Sequence, residues 1–161
     1  MYMKPVKLKE IIDEMEMMMD EYHKYLNTET GIIITVSSED LGIAEDSAED
    51  DDFSEYPDWQ RNAIEEAMDV VMSWNSRKYL ELPDKWEIDE YKIMEAFCGS
   101  ISNEIISNDL YSSIRGKGAF RRFKDAIDRY GVEDDWYSFR RQVIEKIAIE
   151  WCKHNNILYE L

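Results

Sequence analysis

The residues best suited to chemistry gather in one short run, "SIRGKGAFRRFKDAIDRYG". Between Arg115 and Arg129 stand six basic residues, Arg115, Lys117, Arg121, Arg122, Lys124 and Arg129, against Asp125 and Asp128. A helix N-terminus carries unpaired N–H groups and partial positive charge, so it accepts an anion. Gly116 and Gly118 would let the backbone approach a phosphate closely. Arg121 and Arg122, one turn in, would grip it through their paired N–H groups. Trp136 and Tyr137, with Tyr111, are flanking aromatics on which a base could stack. The run is not a P-loop, because no strand precedes it and GxxxxGK[ST] is absent.

The same residues have a plainer reading. Gly116 would end one helix and Gly118 make a tight interhelical turn. Arg121–Asp125, Asp125–Arg129 and Lys124–Asp128 are i,i+4 pairs of ~0.2–0.5 kcal/mol each. The remaining arginines would then answer carboxylates elsewhere in the chain, a network that mimics a site. Both readings stand open on the residues alone.

Carboxylates form the second candidate. From Glu39 to Asp58 there are ten acidic residues and no basic one. Glu45, Asp46, Glu49, Asp50, Asp51, Asp52 and Glu55 could imitate nucleic-acid phosphates and occupy a basic protein partner. No D-x-[DN]-x-[DN]-G calcium loop is present. A solvated loop that keeps the protein soluble accounts for the same composition.

Catalysis finds little support. His23 falls in an expected strand and His154 at a helix end, with no nucleophile tied to either. Cys152 and His154 are two apart, on different faces of a helix. Two cysteines and two histidines at 23, 98, 152 and 154 give no zinc spacing, so no metal and no cofactor is expected, and an enzyme acting on a phosphorylated small molecule ranks a distant third behind the binding readings.

The chain has 161 residues and a formal net charge of −17. Five Trp and ten Tyr exclude a disordered acidic chain. That charge repels polyanions at long range and attracts basic partners. No apolar run approaches the ~20 residues of a membrane span, the N-terminal residues lack a signal-peptide pattern, and two cysteines suit a reducing compartment. The expectation is one cytoplasmic domain over 1–161, with 39–56 as a mobile acidic loop.

Periodicity supplies the elements. Leu8, Ile11, Ile12, Met15, Met18 and Met19 mark a helix over 6–19. Extended runs at 21–27 and 32–37 flank Asn-Thr-Glu-Thr-Gly, a hairpin signal. A helix over about 58–75 and a short strand at 77–83 follow. Helices are then expected at about 87–100, 102–114, from Gly118 to Tyr130 with Phe120 and Phe123 on the core face, and at 133–154, with a terminal strand at 157–159. The fold class is α+β, predominantly helical with about six helices and a small antiparallel sheet from the N-terminal hairpin.

The segment from "LELPDKWEIDEYKIMEAFCGSI" through "IRGKGAFRRFKDAIDRYGVEDDWYSFRRQVIEKIAIEWCKHNNI" resembles a bacterial family of uncharacterised proteins, a UPF family. That family's core is Gly-[basic]-Gly-Ala-Phe-Arg-Arg-Phe-Lys-Asp, followed by Trp-Tyr-x-Phe-Arg and Glu-Trp. "YLNTETGIIITVS" is similar to its N-terminal segment. The resemblance covers most of the chain except the acidic stretch and names no reaction. It implies Gly116, Gly118, Phe120, Arg121, Arg122, Phe123, Asp125, Trp136, Tyr137 and Arg140 as motif positions.

The expected function is that of a non-enzymatic binding or regulatory protein. Arg115, Gly116, Lys117, Gly118, Arg121, Arg122, Trp136, Tyr137 and Arg140 would contact a phosphate-containing ligand or nucleic acid. The alternative is an acidic interaction module or inhibitor acting through 39–58 on a basic protein.

Overall fold

The structure, a computed structural model, describes residues 4–161. In chain order its elements are β1 (Val6–Lys7), α1 (Leu8–Glu16), β2 (Tyr22–Asn27), β3 (Ile33–Ser37), α2 (Ser38–Glu45), α3 (Asp58–Met72) and β4 (Tyr79–Glu81). There follow α4 (Lys85–Ile88), α5 (Glu90–Ser100), α6 (Glu104–Ser113), α7 (Ala119–Arg129), α8 (Glu133–His154) and β5 (Tyr159–Glu160). Helix dominates, with a small antiparallel sheet. The chain gathers into two compact units: the first runs to Asp84 and takes in Ala148–Leu161, and the second is Lys85–Ile147.

The first unit is built on the sheet. α1 buries Leu8, Ile11, Ile12 and Met15, the helical stripe of its sequence. β2 is the central strand of the order β3-β2-β4, antiparallel to both neighbours. Its alternation sends Tyr25 to one face, where Val36, Ala44 of α2, and Ala67 and Val70 of α3 complete a cluster. Lys24 is only 5% exposed, and its Nζ donates to Glu14 Oε2 of α1 at 2.6 Å. The terminal segment pairs in parallel with β1, Val6 opposite Tyr159.

Residues 38–45 differ from the expected loop. They form α2, whose N-terminus is capped by Ser37 Oγ accepting the Asp40 N–H at 3.1 Å. Glu39 and Asp40 favour its positive end, and buried Ala44 draws the helix against the sheet. Further along the acidic stretch Phe53 is buried, with Asp51 and Asp52 accepting the N–H groups of Phe53 and Ser54. The composition is acidic, yet its few apolar side chains suffice to order these positions.

The second unit is helical. The helix expected over 87–100 is interrupted at Asp89, which takes positive φ and caps α5 by accepting the Lys92 N–H. α5 buries Ile93, Met94, Phe97 and Cys98, and α7 buries Phe123, Ala126 and Ile127. Phe97 meets Phe123, Trp136 and Phe139 edge-on at centroid distances of 6.1, 5.4 and 5.4 Å. Such pairs contribute about 0.5–1.5 kcal/mol each beyond their area.

Candidate functional site

The turn between α6 and α7 decides what the basic run can do. Gly116 and Gly118 both have positive φ, +72° and +76°, which favours glycine at these positions. A Cβ on Gly118 would lie 3.1 Å from Arg122 Nη1. The reason for that proximity is the arginine's hydrogen bonding. Arg122 Nε donates to Ser113 O at 3.0 Å, Nη1 to Lys117 O and Nη2 to Arg115 O. One planar guanidinium thus joins three carbonyls at the negative end of α6 and the turn beyond it. Arg122 is therefore a clasp on its own backbone, where the sequence led to the expectation of a phosphate clamp.

Its neighbours behave otherwise. Arg115, Lys117, Arg121 and Lys124 are exposed, and none of them forms an ion pair among the described residues. The expected pairs Arg121–Asp125, Asp125–Arg129 and Lys124–Asp128 do not form, because solvent satisfies these ends at less entropic cost than a fixed surface contact. The positive charge is left facing water.

The aromatics exchange the places their spacing predicts. Trp136 is 5% exposed and packs edge-on against Phe123 at 4.8 Å, so it is a core residue rather than an open stacking platform. Phe120, expected in the core, is 53% exposed, and Tyr137 is 55% exposed. The buried stripe of α7 centres on Phe123, Ala126 and Ile127, which leaves Phe120 at its margin. Arg140, expected to meet a ligand, is paired: its Nε lies 3.0 and 3.1 Å from the two carboxylate oxygens of Glu90, and Nη2 completes a forked contact.

These side chains surround a cavity of about 340 Å³. Phe120 and Lys124 reach it from α7, Tyr137 and Arg140 from α8, and Glu90 and Met94 from α5, above a floor of Phe123 and Trp136. Each rim pair is three or four residues apart, hence on one helix face. Glu90, Met94, Phe120, Phe123 and Lys124 are the lining residues missing from the set expected from sequence. The i,i+4 spacing of Phe120 and Lys124 is legible in the motif, but which face stays open is not.

The carboxylates Glu45, Asp46, Glu49, Asp50, Asp51, Asp52 and Glu55 belong to the first unit, all exposed. Hydrogen bonds from the Ser54 N–H and hydroxyl hold the Asp52 carboxyl below the usual carboxylate range. Cys98 and Cys152 are buried free thiols pushed up to about 11 by desolvation, which suppresses the reactive thiolate. No cluster of three or more metal-binding side chains occurs among the described residues.

One expectation is reversed outright: His23 does have a hydroxyl partner. Its Nε2 lies 3.0 Å from Ser38 Oγ and its Nδ1 2.9 Å from Glu81 Oε1.

Comparison with known proteins yields a match to one family model, described as an uncharacterised protein family, UPF0158, over residues 3–160. No curated protein and no solved structure matches the chain.

Proposed function

Since the chain belongs to UPF0158 along nearly its whole length, a family whose description carries no reaction, we propose from its own residues that it binds a phosphate-bearing aromatic ligand the size of a mononucleotide. The observation that carries this reading is the pair of half-exposed rings, Phe120 and Tyr137, bordering a cavity of about 340 Å³ beside Lys124. That volume falls in the range of small-molecule sites. A planar ring laid on these aromatics regains about 1–3 kcal/mol of stacking. Lys124 and Arg121, three apart on α7 and without carboxylate partners among the described residues, supply the charge for phosphate.

The groove contains no serine, cysteine or histidine among its lining residues, which supports binding over catalysis there. A long nucleic acid fits less well than a single nucleotide, because the first unit carries a net −16 that repels an extended polyanion. The buried free thiols suit a reducing cytoplasm, and no helix among the described residues is long and apolar enough to cross a membrane.

The test is titration calorimetry with nucleoside mono-, di- and triphosphates against inorganic phosphate. Nucleotide binding should weaken about tenfold or more in Phe120→Ala. It should lose salt dependence in Lys124→Ala. Binding that survives both substitutions unchanged would remove the groove from the reading.

A second reading rests on the ordered part of the acidic stretch. Buried Phe53, with Asp51 and Asp52 closing turns around it, gives these carboxylates a defined backbone for meeting a basic protein. Glu45→Gln with Glu49→Gln and Asp50→Asn, which spares Phe53, should abolish capture of a basic partner without lowering stability.

A further inference from the structure

Outside the groove, three side chains of the first unit stand in a relay that the proposed ligand site does not use. His23 lies on β2 two residues before Tyr25, and Glu81 of β4 is the register partner of Tyr25. Residues opposite or two apart share a sheet face, so His23 and Glu81 meet diagonally. β3 ends at Ser37 and Ser38 opens α2, bringing its hydroxyl to the other side of the imidazole. The resulting distances are 3.0 Å from Ser38 Oγ to His23 Nε2 and 2.9 Å from His23 Nδ1 to Glu81 Oε1.

The chemistry of the partners assigns the protons. A carboxylate only accepts, so Nδ1 carries the hydrogen that goes to Glu81. In the neutral ring Nε2 is then the acceptor, and the Ser38 hydroxyl donates to it. This is the order of hydroxyl, base and orienting carboxylate that activates a nucleophilic serine. The Glu81 backbone is itself held, its carbonyl accepting Trp151 Nε1–H at 3.0 Å.

We infer that Ser38 is an acyl-accepting nucleophile toward small neutral or cationic carboxylic esters, with His23 as general base and Glu81 as its positioning residue. Ser38 Oγ attacks the ester carbonyl carbon while its proton passes to Nε2. The tetrahedral adduct expels the alkoxide, which leaves as the alcohol with that proton. Water then attacks the seryl ester through the same base, releasing the carboxylic acid and restoring the hydroxyl. The Ser38 N–H is taken by Glu21 O at 2.8 Å and the Asp40 N–H by Ser37 Oγ. Neither bond uses the Glu39 N–H, the first-turn amide that follows the nucleophile and the natural donor to the oxyanion. Glu39 and Asp40 follow Ser38 directly, the Glu21 backbone holds its N–H and Glu81 bonds the imidazole, so the local charge is negative and turns away anionic substrates. Ser38 is exposed and the His23 side chain 37% exposed, so small esters reach both without a conformational change.

The experiment is mass spectrometry of the full chain after a pulse of p-nitrophenyl acetate or of a fluorophosphonate, followed by peptide mapping. The adduct is expected on Ser38, absent in Ser38→Ala, and slowed about a hundredfold in His23→Gln. Glu81→Gln should slow it by about tenfold or more through loss of the correct ring orientation. Circular dichroism of His23→Gln, which can still hydrogen-bond both partners, separates loss of the base from loss of the hairpin. Should that variant unfold, Glu81→Gln at unchanged circular dichroism carries the decision. Labelling of Ser38 no faster than in the urea-unfolded chain, labelling of Ser37 in its place, or a rate indifferent to a folded His23 or Glu81 variant would each overturn the inference.

Discussion

The two units treat charge in opposite ways. The second holds eleven basic and twelve acidic residues, a net −1, which leaves −16 to the first. In the first unit scarce cations are taken up by abundant carboxylates: Lys9 by Asp13, Lys24 by Glu14, Arg61 by Asp58 and Lys78 by Asp69. In the second, Arg140 has Glu90 and Arg122 has carbonyls, but Arg115, Lys117, Arg121 and Lys124 remain without ion-pair partners among the described residues. Near neutrality therefore gives the second unit the stronger capacity for an anion, since its positive charge is not consumed internally. The first unit's polar side chains instead form networks on the sheet, His23–Glu81–Ser38 and Asp69–Lys78–Tyr79 among them.

The sharpest way to break this comparison is to unfold one unit alone. Phe123→Ala removes a ring packed against both Phe97 and Trp136 and should cost about 3–5 kcal/mol. Pulsed alkylation reads the result, because Cys98 lies in the second unit and Cys152 in the first. Faster labelling of Cys98 alone marks independent units; equal acceleration of Cys152 shows one cooperative fold.

Glu14→Ala is the counterpart in the first unit. It strands the buried Lys24 ammonium, and the expected loss is about 2–3 kcal/mol. That is below the range for a fully buried pair, because Glu14 keeps a third of its side chain in water. Chemical denaturation with Cys152 as reporter measures it. Glu14→Gln, which retains an acceptor, should recover part of the loss.

Arg122→Ala should be milder still, about 1–2 kcal/mol, since water can reach the exposed carbonyls it leaves. Arg122→Lys should not restore it, because an ammonium cannot span three acceptors as a planar guanidinium does. A full rescue by lysine would mean that charge, not shape, holds the turn.

Alkaline pH separates the two units as well. Tyr25 and Tyr79 are pushed up to about 12, Tyr25 chiefly by burial with Glu81 and Glu45 adding, Tyr79 by burial and its bond to Asp69. A raised folded-state value means stability that is whole below the ordinary tyrosine range near 10 and is lost as pH rises toward 12. The buried thiols act likewise from 9 to about 11, one in each unit. With the two tyrosines raised to about 12 on its side, against Tyr130 alone, raised by its bond to Asp109, in the second, the first unit should weaken more between pH 10 and 12. Alkylation pulses at Cys152 and Cys98 after a pH jump test the order.

Much of the fold was legible because it rests on local periodicity. The stripe Leu8, Ile11, Ile12 and Met15 reads as an amphipathic helix, and all four are buried. The α2 helix was not legible, since seven of its eight residues are other than buried and only Ala44 reports the sheet beneath. Of the motif side chains singled out from the sequence, Trp136, Tyr137 and Arg140 line the groove, whereas Arg122 holds the turn before α7. Arg122 and Arg121 are adjacent and chemically alike, and only their turn geometry separates a clasp from an exposed cation.

By itself, then, the amino-acid order determined the helical periods, the segregation of charge and the glycine turn at 116–118, because each depends on neighbours in the chain. Tertiary structure alone decided which aromatic is buried, which cation is paired and that Ser38 meets His23. Those outcomes depend on helix orientation and strand register, which bring together residues as far apart as 23 and 81. No local pattern encodes that distance.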